Sequence, residues 1–431
     1  MSKHKPAIKL LISALLAFGV AGACFGCSVL SHEAIVDAAW PTKLEPLLRA
    51  KFPRATPDDL KAAHGYAYGG AIIQDLGYYP HGNKKFSDMT HYVRSGDFVV
   101  ALMDEAQGLN EFAFALGALS HYASDTNVHR FATNPGEAEL YPRLRRKFGP
   151  VVTYEEDPAA HLKTEFGFDV LEVAKGHFAP EAYHRFIGFG VSVALLDKAF
   201  QKTYGLTLAD LFPDVDKSIG SYRHAVSRTI PAATRIAWAE RRSDIERAQP
   251  GITRSRFVYL MSRSSYEREW GKQYDRPTKL DAIAAGMVKL IPPIGPLRTL
   301  RFRMPTPAVE KLFMQSFDKS VTEYDAQLDQ ARAKTLKIGN PNYDLGEVAK
   351  PGVYRLQDDT YAFWLHELAS KQYEAVTPEI REELLEYFRT VPNFRPKGDP
   401  KAQVQLTTEL QRLKELAQPG QLVAGKPQSA D

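Results

Sequence analysis

The stretch Asn110–Asp125, NEFAFALGALSHYASD, decides how the rest of the chain is read. Phe112, Ala115, Leu116, Leu119 and Tyr122 recur near i, i+3, i+4 and i+7, the spacing that gathers apolar side chains on one face of a helix. His121 and Asp125 stand four residues apart on that helix, about 40° apart around its axis, so an imidazole and a carboxylate face one way. His129 follows at the next step of four, and a helix ending near Asn127 lets it turn toward the same cavity.

Outward from this segment the pattern stays helical. Ala182–Tyr204, Val215–Ala248, Ala308–Leu336 and Pro378–Phe388 all read as helices. Alternating strand patterns are confined to short candidates at Val151–Tyr154 and Gly352–Leu356, so the expected class is all-α. Gly69-Gly70 lacks the surroundings of a phosphate loop and reads as a tight helix contact or a turn. Prolines and basic residues thicken over Arg276–Pro307, where IPPIGPLRTLRFRMPTP interrupts any helix. The expected organisation is an amino-terminal leader (1–26), a helical domain (27–275), a Pro-rich connector (276–307), a mostly helical carboxy-terminal region without an assigned role (308–417) and a disordered tail (418–431). Lys337–Pro351 is a second irregular stretch.

Composition places the 431-residue chain among globular proteins, with 44% hydrophobic and 25% charged residues, and excludes collagen-like, disordered and multi-span membrane classes. The only two cysteines, Cys24 and Cys27, exclude a disulfide framework and a Cys-rich zinc site. Lys3 to Lys9 form a basic n-region ahead of the apolar Leu10–Ala23, the pattern of a secretory signal peptide. Cleavage after Gly26 makes Cys27 the first residue of the mature chain; an uncleaved anchor and a lipoprotein site at Cys24 are the alternatives. Formal charge is +4, and loss of Lys3, Lys5 and Lys9 leaves about +1, too little for a nucleic-acid field. The apolar 284–297, with basic neighbours, is a candidate lipid contact or a buried helix end.

The informative pattern among the twelve histidines is spacing. His161 and Glu165 in HLKTE repeat the i, i+4 arrangement of His121 and Asp125, and two such pairs on facing helices clamp metal in many bundles. His32, Asp75 and His91 lie nearby in sequence. Taken singly, each of these residues is ordinary as a core or surface hydrogen-bonding group. Together they form a set of imidazoles and carboxylates without thiolates, which suits zinc.

In order, His32, Asp75, His91, His121-x3-Asp125, His129 and His161-x3-Glu165 resemble the zinc-dependent phospholipase C family, itself related in fold to the fungal single-strand zinc nucleases. ALGALSHYASDTNVH is the most specific part, and the resemblance covers about Cys27–Phe200. It implies a helical bundle holding three zinc ions. His91, His121, Asp75 and Asp125 would hold one, and His129, His161 and Glu165 a second. The third would use His32, a shared Asp125 and the terminal amine and carbonyl of Cys27, at a position where the family usually has tryptophan. The pair closing on Glu165 follows the phospholipase branch, since the nuclease branch ends in Asp.

The resemblance also implies a zinc-activated water attacking a phosphodiester, with Asp75 as the catalytic carboxylate that orients or deprotonates it. The aromatic residues between His64 and Tyr92 (Tyr66, Tyr68, Tyr78, Tyr79, Phe86 and Tyr92) are candidates to wall the cleft against a cation headgroup or a base, with Tyr66, Tyr68 and Tyr79 singled out for substrate contact and core packing the alternative for each. The function expected is a secreted or periplasmic phospholipase C acting on phospholipid, with transient membrane-surface contact and no nucleic-acid partner. A zinc nuclease, or a non-catalytic envelope protein binding lipid or metal, are the alternatives.

Overall fold

The computed structural model describes residues 29–79, 81–175, 177, 190–224, 238, 241–257, 302–389 and 400–416. The leader, Cys27, residues 276–301 of the connector with the apolar 284–297, and the tail at 418–431 lie outside them. Helices follow in the order α1 (Val29–Ala39), α2 (Glu45–Lys51), α3 (Pro57–Ala71), α4 (Lys84–Tyr92), α5 (Ser95–Glu105), α6 (Leu109–Val128), α7 (Asn134–Leu140), α8 (Pro142–Phe148) and α9 (Pro158–Lys175). They continue with α10 (Val193–Tyr204), α11 (Leu208–Leu211), α12 (Val215–His224), α13 (Arg254–Phe257), α14 (Pro307–Arg332), α15 (Arg355–Ser370), α16 (Pro378–Arg389) and α17 (Pro400–Glu415). The class is all-α.

Among the described residues there is no strand, only an isolated bridge between Asn342 and Glu347. The strand expected at Val151–Tyr154 is instead a loop whose donors go to other parts of the chain: Val152 N–H bonds the Asn134 carbonyl and Tyr154 N–H the Asp344 carboxylate. At Gly352–Leu356 a turn with Gly352 at φ +86° runs straight into α15. Of the helix expected over Ala182–Tyr204, residues 182–189 lie outside the described residues, 190–192 are non-helical with Gly190 N–H bound to the Gly65 carbonyl, and the helix runs from Val193 to Tyr204.

Helix α6 is the axis of the molecule, and its partner α3 comes unusually close. A Cβ on Gly117 would lie 2.0 Å from the Ala67 carbonyl oxygen, and one on Gly70 would lie 1.9 Å from that of Phe114. Only glycine permits backbones to pack at that separation. The start of α3 is fixed by a capping box between Thr56 and Asp59, with Pro57 in the first turn.

The carboxy-terminal helices close over the same core. Tyr324 of α14 donates to the Leu116 carbonyl at 2.9 Å, and Trp364 of α15 donates from Nε1 to the Tyr204 carbonyl at 2.8 Å. Both rings are fully buried in one cluster with Leu60, Phe114, Leu116 and Leu384. Burial of each such side chain contributes on the order of 2 kcal/mol; α14 packs on α6, and α15 packs on α4 and on α17.

Candidate metal centre

Five histidines and three carboxylates from five parts of the chain meet at α6. His32 comes from α1, Asp75 from the 3-10 turn Ile73–Tyr78, His91 from α4, His121 and Asp125 from α6, and His161 and Glu165 from α9. His129 follows α6 directly. The α-helix ends at Val128, one residue beyond Asn127, and widens into a π turn at His129–Thr133. His129 thereby stays on the Asp125 face, with Nε2 3.8 Å from Asp125 Oδ1 and 3.0 Å from Glu165 Oε1.

Asp125 sits in the middle. Its Oδ2 is 3.0 Å from His121 Nε2 and 3.5 Å from His91 Nε2, and its Oδ1 is 3.4 Å from His32 Nε2. Asp75 Oδ1 lies 3.3 Å from His91 Nε2, while its Oδ2 is buried without a partner. His161 Nε2 completes the other end, 3.3 Å from Glu165 Oε1. Potential ligand atoms fall into three groups, each spanning less than 4.8 Å: His32, His121 and Asp125; Asp75, His91 and His121; and His129, His161 and Glu165. The structure thus brings together every described ligand candidate, with His121 reaching toward His32 as well as His91. Cys27 lies outside the described residues.

The imidazole orientations fit a cation. His91 Nδ1 is 2.8 Å from the Ser87 carbonyl, and His121 Nδ1 is 2.8 Å from the Ala71 carbonyl. A carbonyl only accepts, so each Nδ1 carries the proton and each Nε2 presents a lone pair. The second of these contacts exists because α3 and α6 touch at glycine. The two Nε2 atoms then face each other at 3.3 Å. Two lone pairs repel unless a proton or metal lies between them, and ligands on a tetrahedral zinc with bonds of about 2.0–2.1 Å are themselves about 3.3 Å apart. Among the described residues no Lys or Arg lines the cavity to offset its buried carboxylates. The donors are hard oxygens and imidazole nitrogens, suited to zinc.

Electrostatics point the same way. Burial pushes His91 and His129 down, yet Asp125 and Asp75 hold His91 up at about 9, and Asp125 and Glu165 hold His129 up at about 10. Without metal, therefore, protons occupy these positions. Burial raises the carboxyls, but the neighbouring histidines overcome it: Glu165 falls to about 2 through His161 and His129, and Asp125 lies well below the ordinary range. Desolvation and the adjacent His121 hold His32 at about 4, so it stays neutral.

The aromatic wall differs from expectation. Tyr66, Tyr68 and Tyr79 do not reach the cavity: Tyr66 lies against Gly190, Tyr68 donates its hydroxyl to Asp37, and Tyr79 packs edge-on against Tyr222 at 4.6 Å. Tyr78 and Tyr92, both among the aromatic residues expected to wall the cleft, line it together with Tyr154. The first two belong to the same aromatic stretch of sequence, and only the direction imposed by the 3-10 turn separates Tyr78 from Tyr79. Sequence reasoning missed Asp344, 3.8 Å from His129 Nδ1, and Glu137, 3.8 Å from His161 Nδ1. Both are buried, and neither shares a helical spacing with its histidine that marks it out.

The sequence of residues 31–213 matches the family model of zinc dependent phospholipase C. No curated protein and no solved structure matches the chain. The matched segment contains all eight described ligand candidates, the glycine contact that orients His121, and three of the cavity's tyrosines. With a zinc-binding donor set on an all-helical frame inside the matched stretch, residues 31–213 form a domain of the zinc-dependent phospholipase C family, and through it the chain is a phospholipase C-type hydrolase.

Proposed function

We propose that the protein is exported and hydrolyses phospholipids to diacylglycerol and a phosphorylated headgroup, with three zinc ions held in the cluster. His91, His121, Asp75 and Asp125 hold the first, His129, His161 and Glu165 the second, and His32, Asp125 and the terminal amine and carbonyl of Cys27 the third. The observation that carries this reading is the 3.3 Å approach of the His91 and His121 Nε2 atoms, both with Nδ1 tied to main-chain carbonyls.

Bound zinc supplies positive charge that polarises phosphate oxygens and acidifies water. Asp75 Oδ2, a cavity carboxylate oxygen without a partner, accepts a hydrogen bond from the attacking water and takes its proton. His161, His91 and His121 keep fixed positions through their neighbours. Tyr78, Tyr92 and Tyr154 wall the cavity and exclude bulk water around the phosphodiester. Removal of the leader after Gly26 frees the Cys27 amine in the secreted or periplasmic product. Contact with the membrane surface is transient; no described helix is long and apolar enough to cross a membrane.

Incubation of the purified mature protein with mixed phospholipid vesicles and, separately, with single-stranded DNA tests the substrate. Headgroup phosphate released from lipid in a chelator-sensitive way, with little nucleotide, is the expected result. Nucleotides without headgroups would assign the chain to the nuclease branch, and neither product would leave a lipid- or metal-binding protein.

A further inference from the structure

We propose that Asp344, contributed from outside the matched domain, is a positioning residue that orients His129 and so sets zinc affinity at the position formed by His129, His161 and Glu165. The inference rests on the zinc reading above. Asp344 lies in the irregular stretch between α14 and α15 and is 1% exposed. Its Oδ2 accepts from Tyr154 N–H and from the Tyr354 hydroxyl, both at 2.8 Å. Its Oδ1 has no partner, and neither does His129 Nδ1, 3.8 Å away.

The imidazole of His129 therefore lies between two carboxylates. Nε2 faces Glu165 on the metal side, and Nδ1 faces Asp344 behind it. A small rotation of the ring closes the second gap to a hydrogen bond, fixes the proton on Nδ1 and raises the basicity of Nε2. His161 repeats the arrangement with Glu137 behind its Nδ1 at 3.8 Å, again with neither atom partnered. His91 and His121 are backed by neutral carbonyls instead. One metal position thus has side-chain carboxyl groups behind its histidines, and the other has main-chain carbonyls.

The loop is held for this purpose. Asn340 Oδ1 accepts from Gly96 and Asp97 N–H at the start of α5, each at 2.9 Å. Tyr343 N–H bonds the His91 carbonyl at 3.1 Å, and Asn134 Nδ2 bonds the Asp344 carbonyl at 2.8 Å. Gly346, at φ +65°, touches the end of α6, where a Cβ would lie 2.1 Å from the Thr126 carbonyl oxygen. The region beyond residue 307 is a working part of the metal centre, not an appendage.

The test is zinc affinity by competitive chelator titration in the full mature protein. Asp344→Asn should weaken one zinc by about 10–100-fold and leave the zinc at His91 and His121 at wild-type affinity. In a His129→Ala background the same change should cost little more, because its effect runs through His129. Equal weakening of all zinc ions, or equal cost with and without His129, would assign Asp344 a structural role and overturn the inference. Should Asp344→Asn not fold, the wild type carries the test: in the zinc-loaded, ¹⁵N-histidine-labelled protein, the His129 Nδ1 proton should be downfield and slow to exchange. A freely exchanging proton contradicts the proposal. If the zinc reading itself fails, the wild type takes up no zinc, a distinguishable result.

Discussion

His121 donates its Nδ1 proton to the carbonyl of Ala71 at 2.8 Å, across the closest approach of two helices. The contact joins fold to chemistry, because the glycine that allows α3 and α6 to touch also sets which nitrogen of His121 faces the cluster. Gly117→Ala should force the helices apart, since its Cβ would lie 2.0 Å from the Ala67 carbonyl oxygen. A loss of about 1–3 kcal/mol in stability is expected, together with weaker zinc binding, read by thermal unfolding and metal titration on the same sample. Unchanged stability would mean that the approach is not tight in solution.

Asp125 faces His32, His91, His121 and His129 at once. Asp125→Ala should therefore remove more than one zinc from the reconstituted protein, as counted by elemental analysis. Loss of a single ion would show that the positions do not share this carboxylate.

Protonation gives the zinc-free protein a distinct pH profile. His91 and His129 are held at about 9 and about 10, above their ordinary 6.5, so their contribution to stability is full below about pH 6.5 and is lost as pH rises through 9 to 10. Glu165, held at about 2, contributes above its ordinary 4.5 and loses that as pH falls toward 2. His32, held at about 4, refuses a proton that the unfolded chain takes, which costs stability as pH falls from 6.5 to 4. Melting temperature in chelator should thus be greatest near neutrality and fall on both sides. Zinc has to displace the protons on His91 and His129, so its apparent affinity should climb up to pH 9–10. A zinc affinity independent of pH over that range would contradict these protonation states.

The third zinc position, as proposed, requires a free amine. Helix α1 starts at Val29, and Asp169 of α9 holds that start by accepting from Leu30 N–H, Ser31 N–H and the Ser31 hydroxyl at 3.3, 3.2 and 2.9 Å. His32 therefore has a fixed place relative to α9. A protein carrying extra residues before Cys27 should hold one zinc fewer, since an amide nitrogen is a poor ligand. Intact mass of the exported protein should place its start at Cys27. A lipid-bearing start at Cys24 with full zinc content would remove the terminal amine from the site.

Much of this centre was legible in the sequence. The i, i+4 pairs His121–Asp125 and His161–Glu165 needed only a helix to face one way, and the apolar stripe supplied it. His32, Asp75 and His91 were recognised by order and by resemblance, since three separate elements carry them and no spacing links them. Choosing Tyr78 over Tyr79 was beyond sequence, because a 3-10 turn and an extended residue reverse the direction of adjacent side chains. Asp344 was invisible for a different reason: its proximity to His129 is created by the packing of α14 on α6 and of α15 on α4, through tethers at Asn340 and Tyr343 that look like ordinary turn residues.

The most direct measurement is headgroup release and zinc content determined together on wild type and Asp75→Asn. The account predicts that the wild type releases phosphorylated headgroup from phospholipid vesicles, whereas Asp75→Asn keeps most of its zinc and loses turnover by about 100-fold or more, the size of a general-base contribution. Full turnover in Asp75→Asn would remove Asp75 from the chemistry, and a wild-type protein that stays metal-free after zinc reconstitution would contradict the account as a whole.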